Sequence, residues 1–132
     1  MKTAARFAAA ILAACVLTLP AVAEDRERVR VVNVNGYTVV DNQHVILSGS
    51  ASRRYLVTLQ RRCWGLRRGI QIGTSFGRTA TIYNPRFEYI VTRDDPRCYI
   101  RDIEQVENED AALALIEQRA AEAEAEDDTG SR

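Results

Sequence analysis

The sequence predicts a mainly β fold: a small antiparallel barrel or sandwich of about six to seven short strands, with a signal helix before it and a C-terminal helix after it. Three observations support this prediction. Short segments rich in β-branched and aromatic residues alternate with clusters of Gly, Pro, Asn and Asp. After Val106 the apolar residues recur at helical spacing. An apolar segment near the N-terminus ends at a small-residue cleavage motif.

Residues 1–23 have the features of a secretory signal peptide. Two positive charges precede an almost entirely apolar segment over residues 7–19, and residues 21–23 read Ala-Val-Ala, which suits signal peptidase. The apolar segment is shorter than the ~18–20 residues that span a bilayer. We therefore expect cleavage between Ala23 and Glu24, export to the periplasm, and no transmembrane span in the mature protein.

Cys15 offers a second interpretation of this segment. Residues 12–15 read Leu-Ala-Ala-Cys, which resembles a bacterial lipobox whose cysteine is lipidated and becomes the new N-terminus. Residues 16–19 continue the apolar segment instead of beginning a polar tether, so we favour soluble export. A lipoprotein anchored to a membrane through Cys15 remains the alternative.

Cleavage after Ala23 leaves 109 of the 132 residues, which suits one small domain. The charge is unevenly distributed along them. Residues 24–103 hold 14 Arg and 8 acidic residues, a formal charge of +6, whereas residues 104–132 hold 2 Arg and 10 acidic residues, a formal charge of −8. The basic body is suited to an anionic partner, and the acidic tail of the same chain is an alternative counterion.

The mature chain has two cysteines, Cys63 and Cys98, because Cys15 leaves with the signal peptide. In an oxidising compartment a disulfide between them is the default expectation. The chain has no C-x-x-C motif, and its one histidine, His44, lacks metal-ligand spacing to either cysteine. We predict a structural disulfide, no metal and no cofactor.

The β-rich domain is predicted over residues 24–106. Asn35-Gly36 is a strong tight-turn signal, so strands over 29–34 and 37–40 are expected to pair as a hairpin. A second hairpin is expected around Asp94-Asp95-Pro96, from residues 88–92 and 98–103. The remaining strands are predicted over residues 44–47, 53–60, 69–73 and 79–83.

Residues 107–126 are predicted to form an acidic amphipathic helix, with its core over 109–124. Asn108 is suited to cap its N-terminus, and a thin apolar stripe follows at helical spacing, formed by Leu113, Ile116, Ala120 and Ala123. Residues 127–132 are predicted to be a disordered tail.

The most distinctive cluster is residues 61–68, in which four arginines surround the only tryptophan: Arg61, Arg62, Trp64, Arg67 and Arg68. Arginine pairs with phosphate or carboxylate, and tryptophan stacks on rings or cations. The cluster is therefore a candidate patch for an anionic ligand. The structural alternative places Trp64 in the core beside the disulfide, with the arginines as a solvated rim.

Enzyme motifs are mostly absent: the chain has no G-x-S-x-G elbow, no phosphate-binding Gly loop and no H-E-x-x-H. An active site without a known motif would have to be assembled from scattered residues, of which His44, Tyr55 and Asp41 are the best candidates. That hypothesis requires the three side chains to converge.

The segment from Gly36 to Val106 resembles domain-of-unknown-function family 6491, small exported or lipid-anchored proteins of Gram-negative bacteria. The resemblance is carried by Val40-Asp41, by residues 55–59 (Tyr-Leu-Val-Thr-Leu), by Cys63 with Leu66, and by Arg97-Cys98 with the apolar residues that follow them. The chain departs from the family in lacking cysteines near Val31 or Val32 and near Thr81, a loss consistent with one missing disulfide. The resemblance implies no activity, and it keeps the lipoprotein alternative open.

These observations predict a non-enzymatic periplasmic domain that binds or supports a component of the cell envelope. The alternatives are an enzyme with an active site that matches no motif, or a subunit of an envelope assembly whose acidic helix docks on a basic partner. The partner is expected to be an anionic envelope component or a protein, and not nucleic acid.

Overall fold

The computed structural model describes residues 28–66 and 71–130. The predicted signal peptide, its cleavage site between Ala23 and Glu24, the candidate lipidation site Cys15, and Arg67 and Arg68 all lie outside these residues. No helix within the described ranges is both long enough and apolar enough to cross a membrane.

Within these described residues the chain forms eight strands, two short 3₁₀ helices and one α-helix, so the predicted mainly β class with a C-terminal helix is confirmed. The strands are β1 (Val29–Val31), β2 (Gly36–Val39), β3 (His44–Ser48), β4 (Arg54–Leu59), β5 (Gly73–Thr74), β6 (Ala80–Ile82), β7 (Tyr89–Val91) and β8 (Cys98–Val106). The first 3₁₀ helix is Trp64–Leu66, the second is Pro85–Phe87, and α1 is Glu109–Gly130.

Six strands form one curled, half-barrel sheet in the order β2-β3-β4-β8-β7-β5, and β1 pairs with β6 in a small second sheet. Every pairing is antiparallel. The predicted hairpin around Asp94-Asp95-Pro96 is confirmed as β7 and β8, with Ile90 opposite Cys98. A register shift between Thr58 and Leu59 interrupts the pairing of β4 with β8, which bends the sheet at that point.

The predicted hairpin at Asn35-Gly36 is wrong. β1 pairs with β6, placing Val29 opposite Ile82, and β2 pairs with β3, placing Gly36 opposite Ser48. A two-residue hairpin turn of the Asn-Gly type needs positive φ at both central residues. Among the described glycines none has a positive φ, and it is Asn33, at 47°, that turns the chain away after β1.

β4 is buried on both of its faces. Tyr55, Val57 and Leu59 point into the larger core, on what we call the core face of the sheet. Leu56 points the opposite way into a smaller core with Ile46, on what we call the helix face because α1 packs there. Because both faces are covered, the strand is almost continuously apolar.

The helix face is covered by the first turns of α1. The predicted cap is confirmed, since the Asn108 side chain accepts a hydrogen bond from Ala111 N–H at 2.8 Å. Ala112 is fully buried and packs on the smaller core together with Leu115 and Ile116. Leu113, which belongs to the predicted stripe, is 37 % exposed.

The helix continues to Gly130, four residues past the predicted end at residue 126. Its distal half is rich in Ala and Glu, which have high helix propensity, and the Gln118 side chain bonds to Glu122 one turn later at 2.9 Å. Residues 127–130, expected in the tail, are helical in the structure.

Candidate functional site

The disulfide joins the loop after β4 to the start of β8, which gives this end of the molecule its framework. Cys63 and Cys98 are bonded, as predicted, with 5.9 Å between their Cα atoms and 35 residues between them in sequence. The first 3₁₀ helix follows Cys63 directly. Its Leu66 is buried in the larger core beside both cysteines, whereas Trp64 is 68 % exposed. The alternative in which Trp64 fills the core is therefore wrong, because Leu66 occupies that place.

The turn between β7 and β8 holds the first 3₁₀ helix from one side. Gly65 N–H donates to Asp95 Oδ2 at 3.1 Å. The Asp95 backbone is in turn fixed by Thr92, whose N–H and hydroxyl both donate to Asp95 O, at 2.9 and 3.1 Å. A Cβ atom on Gly65 would collide with Thr92 Oγ1, so this close approach requires glycine.

The turn between β2 and β3 holds the same loop from the other side. Cys63 N–H donates to Asn42 O at 2.7 Å, and Leu59 N–H donates to Gln43 O at 2.8 Å. The turn is organised by Asp41, whose Oδ1 accepts from the N–H groups of Gln43 at 2.7 Å and His44 at 2.8 Å. The carboxylate of Asp41 thus acts indirectly on the loop that carries Trp64.

The pKa of Asp41 is set by opposing effects. Partial burial raises the pKa of the Asp41 carboxyl. The hydrogen bonds from Gln43 N–H and the His44 ring, together with the charge of His44, lower it by more, so the pKa lies below its ordinary value. His44 Nδ1 is 2.9 Å from Asp41 Oδ2. The pair is a feature of the turn, on the helix face, because His44 precedes Ile46 by two residues on β3.

The three residues proposed for a scattered active site do not converge. Tyr55 is fully buried on the core face, where its hydroxyl accepts a hydrogen bond from Val32 N–H at 3.2 Å. His44 stands opposite Thr58 on the other face of the same two strands. The sheet therefore separates Tyr55 from the His44–Asp41 pair, and the geometry gives the enzyme hypothesis no shared pocket.

Gln60 ties three segments together immediately after β4. Its N–H donates to Tyr99 O at 2.9 Å, and its side-chain Nε2 donates to Ile100 O at 3.0 Å and to Arg86 O at 3.4 Å. Arg101 Nη2 donates to Gln60 O at 3.4 Å. The second 3₁₀ helix, the first residues of β8 and the loop of residues 60–63, which we call the arginine loop, are therefore neighbours. Sequence reasoning missed Gln60, because nothing local marks these long-range bonds.

Two tyrosines lie on β7 and β8 next to the arginine loop. Ile90 and Cys98 point into the larger core, so their strand neighbours Tyr89 and Tyr99 lie on the opposite face of the sheet. The two rings contact edge to face with 5.8 Å between centroids. The guanidinium of Arg97 lies over the Tyr89 ring, 5.5 Å from its centroid.

We call this region the arginine–aromatic surface. Its arginines are Arg61, Arg62, Arg86, Arg97 and Arg101, and its aromatic side chains are Trp64, Phe87, Tyr89 and Tyr99. All five arginines are exposed, as are Trp64, Phe87 and Tyr99. The described part of the predicted patch belongs to this surface, and the arginines after residue 68 were not singled out from sequence because they are scattered along the chain.

None of the five arginines of this surface is within ion-pair distance of a described carboxylate, although Asp95 lies beside the first 3₁₀ helix. Over residues 28–66 and 71–130 the ion pairs are His44 with Asp41 and Arg119 with Glu104. The second pair joins α1 to β8 through two hydrogen bonds of 2.7 and 3.0 Å, and the Glu104 carboxylate raises the pKa of Arg119. None of the carboxylates of α1 forms an ion pair with the arginine–aromatic surface, so the acidic helix does not neutralise it within the described chain.

Cys63, Cys98 and Asp95 are the one group in the described residues whose ligand atoms cluster closely enough for a metal ion, within 4.8 Å of one another. Asp95 Oδ2 lies 3.7 Å from Cys63 Sγ. Metal binding there would require two thiolates, and in the disulfide both sulfur atoms are already bonded to each other. The residues as they stand fit a structural disulfide.

A cavity of about 450 Å³ opens at the other end of β4, between the start of α1 and the loop before the strand. Its charged lining comes from Arg54 and from Glu107, Glu109 and Asp110. This mixed, largely acidic lining does not select an anion, and the cavity is separate from the arginine–aromatic surface.

Comparison with known proteins adds a family and no activity. A family model described as "Family of unknown function (DUF6491)" matches residues 1–122, which is most of the chain. No curated protein and no solved structure was found to match. The match confirms the resemblance drawn from the sequence and extends it to both sides of the segment that carried it. The chain therefore belongs to the DUF6491 family of unknown function.

Proposed function

We propose that this protein is an exported, non-enzymatic domain of the bacterial cell envelope that binds a phosphate-bearing envelope component through the arginine–aromatic surface. The observation that carries the proposal is the absence of any carboxylate partner for its five exposed arginines over residues 28–66 and 71–130. Positively charged side chains that are grouped on an exposed surface attract anions.

The chemistry of the side chains favours phosphate. Guanidinium presents a planar fork of N–H donors that matches the oxygen atoms of phosphate, and such charge-assisted bonds are about twice as strong as neutral ones. Trp64, Phe87 and Tyr99 add exposed rings beside the charges. Rings offer apolar area to the carbon skeleton that bears the phosphate. The surface thus suits a ligand with both anionic and apolar parts.

Export is supported by two features. Residues 1–23 have the charged, apolar and small-residue parts of a signal peptide. The bond between Cys63 and Cys98 is compatible with an oxidising compartment. We propose a mature periplasmic protein that begins at Glu24. The intact mass of the protein recovered from a bacterial host tests this: a mass starting at Glu24 supports soluble export, and an acylated Cys15 identifies the lipoprotein instead.

Binding is tested with soluble polymers that differ in their anion. Titration with dextran phosphate is expected to show saturable binding, weaker for carboxymethyl dextran of equal charge density. Arg61→Ala/Arg101→Ala should weaken binding to dextran phosphate about a hundredfold or more, since each of the two lost charge-assisted bonds contributes about 1.5–3 kcal/mol.

The matched control is Arg30→Ala/Arg53→Ala, which removes the same charge from exposed positions on β1 and before β4. Arg53 lies at the opposite end of β4 from Gln60. Equal weakening by both double variants would show attraction to net charge alone and would contradict the proposed site.

A role as a subunit of an envelope assembly is the second candidate. It is favoured by α1, of which every residue from Glu117 to Gly130 is exposed. Sedimentation of the purified protein across a range of salt concentrations tests it. A monomer that is unaffected by salt and by added envelope proteins would exclude this candidate.

A further inference from the structure

We infer that the arginine–aromatic surface binds the face of an anionic phospholipid membrane, with Trp64 and Phe87 inserted among the headgroups. This inference rests on the proposed function and names the source of the phosphate. It concerns the folded domain itself and is independent of any lipid attached at Cys15.

The first support is the placement of the two most exposed aromatic side chains of this surface. Trp64 is 68 % exposed and Phe87 is 77 % exposed. Each lies in a 3₁₀ helix and has an exposed arginine close by in sequence: Arg62 is two residues before Trp64, and Arg86 directly precedes Phe87. An aromatic ring beside a cation is the combination that stabilises proteins at the interface between water and lipid.

The second support is that the two 3₁₀ helices project from the same end of the molecule. Gln60 Nε2 bonds to Arg86 O in the second helix, and the first helix begins four residues after Gln60. The disulfide and the Asn42 carbonyl hold the chain rigidly between them, through Cys63. Two apolar side chains on a fixed framework enter a lipid surface with little loss of conformational entropy.

The third support is the openness of the site. Tyr89 and Tyr99 lie on the face of the sheet opposite the larger core, where α1 packs on Ile46, Leu56 and Val106 and its Arg119 pairs with Glu104. Tyr99 remains 42 % exposed. An exposed sheet face flanked by two protruding rings suits an extended, flat ligand more than an enclosed small molecule. Its unpaired arginines match the negative potential of an anionic leaflet.

Trp64 is the only tryptophan of the chain, so its fluorescence reports on this site alone. The experiment uses the processed protein recovered after export, carrying Cys15→Ser so that no acyl chain contributes. Vesicles of phosphatidylcholine alone are compared with vesicles containing phosphatidylglycerol. Sedimentation measures the partition coefficient, and quenching of Trp64 by brominated acyl chains measures insertion.

We expect binding to the anionic vesicles only, with a blue shift of Trp64 emission and quenching by the brominated lipid. Arg61→Ala/Arg101→Ala should lower the partition coefficient about thirtyfold at low salt, from the contribution of each basic residue near an anionic surface. Phe87→Ala should lower it about fivefold while leaving Trp64 as the probe. Circular dichroism of each variant checks that the fold is retained.

The control Arg30→Ala/Arg53→Ala should lower the partition coefficient less than threefold. Equal losses in the two double variants, or sedimentation with vesicles without quenching of Trp64, would overturn the inference. Binding to dextran phosphate without binding to vesicles would also overturn it and leave the proposed function standing. Binding to neither would contradict both.

Discussion

The docking of α1 on the sheet gives a prediction with an internal control. Leu115 and Leu113 are the same residue type, lie in the same helix and are two positions apart, but they have opposite environments. Leu115 packs on the smaller core with Ile46 and Leu56, whereas Leu113 is 37 % exposed. Because Leu→Ala changes helix propensity equally at both positions, the difference between the two variants isolates packing.

Full burial makes Leu→Ala cost about 2.7–5.0 kcal/mol. Leu115 is partly buried, so we expect Leu115→Ala to lower the free energy of unfolding by about 1.5–2.5 kcal/mol. Leu113→Ala should stay within about 0.5 kcal/mol of the wild type, as most exposed substitutions do. For a domain of this size, the midpoint of thermal unfolding of the Leu115 variant should fall by about 6–10 °C.

The assay is urea unfolding of the purified protein, followed by circular dichroism, with the slope of the free energy against urea compared between variants. If the slope is unchanged and the urea concentration at the midpoint is lower, the variant has lost stability in the folded state, as loss of packing predicts. Equal losses in the two variants, or a larger loss for Leu113→Ala, would refute the helix orientation and restore the stripe of Leu113 and Ile116 predicted from sequence.

Three further predictions concern the framework of the arginine–aromatic surface. Replacing Cys63 and Cys98 together by Ser should lower the free energy of unfolding by about 4 kcal/mol, the loop-entropy value for a 35-residue separation; mass spectrometry of the non-reduced wild type should show the linked peptides, and two free thiols would contradict the pairing. Gly65→Ala should cost about 1–3 kcal/mol by overpacking, whereas Gly77→Ala, where a Cβ would come no nearer than 3.7 Å to its closest neighbour, should change stability by under about 0.5 kcal/mol. The pKa of Asp41 is lowered in the folded state. Its carboxylate therefore stabilises the fold above the unfolded pKa of about 3.9, and this stabilisation is lost as the pH falls through the lower folded pKa. Asp41→Asn should make the free energy of unfolding less dependent on pH in acid, and an unchanged dependence would contradict this assignment.

Most of the strands and the helix cap were predictable because their signals are local. The strand predicted over residues 69–73 is an exception, since residues 71 and 72 are not in a strand and β5 is Gly73–Thr74. The alternation of Tyr55, Val57 and Leu59 with Leu56 defines the two faces of β4 in any sheet that contains it. Asn108 satisfies backbone donors within one turn of the chain. Such features depend on neighbouring residues alone, and the structure agrees with them.

Strand pairing was less predictable because partners compete. Asn35-Gly36 favours a hairpin between adjacent strands, yet β1 pairs with β6, some 50 residues later in the chain. The turn at Asn33 and the pairing of β2 with β3 decide against the local signal. The energy of a strand pair depends on the whole sheet, which local patterns do not contain.

The candidate site shows the same division. The cluster of arginines around Trp64 stands out in the sequence, but its exposure does not, since a tryptophan beside a disulfide suits a core equally well. The exposure follows from Leu66 filling the space beside the disulfide and from Gly65 fitting against Thr92. Arg86 and Arg101 join the site only because Gln60 bonds across three segments.

By itself the sequence determined the mainly β class, the C-terminal helix, the pairing of Cys63 with Cys98 and the membership of a family of unknown function. The fold class and the helix depend on composition and periodicity, the disulfide on the expectation that Cys15 leaves with a signal peptide, and the family on a resemblance that the family model confirms. Only the tertiary structure decided which strands pair, which side of α1 is buried and which side chains form the arginine–aromatic surface. Each of these is a choice between competing long-range contacts, and packing selects among them for the whole domain at once.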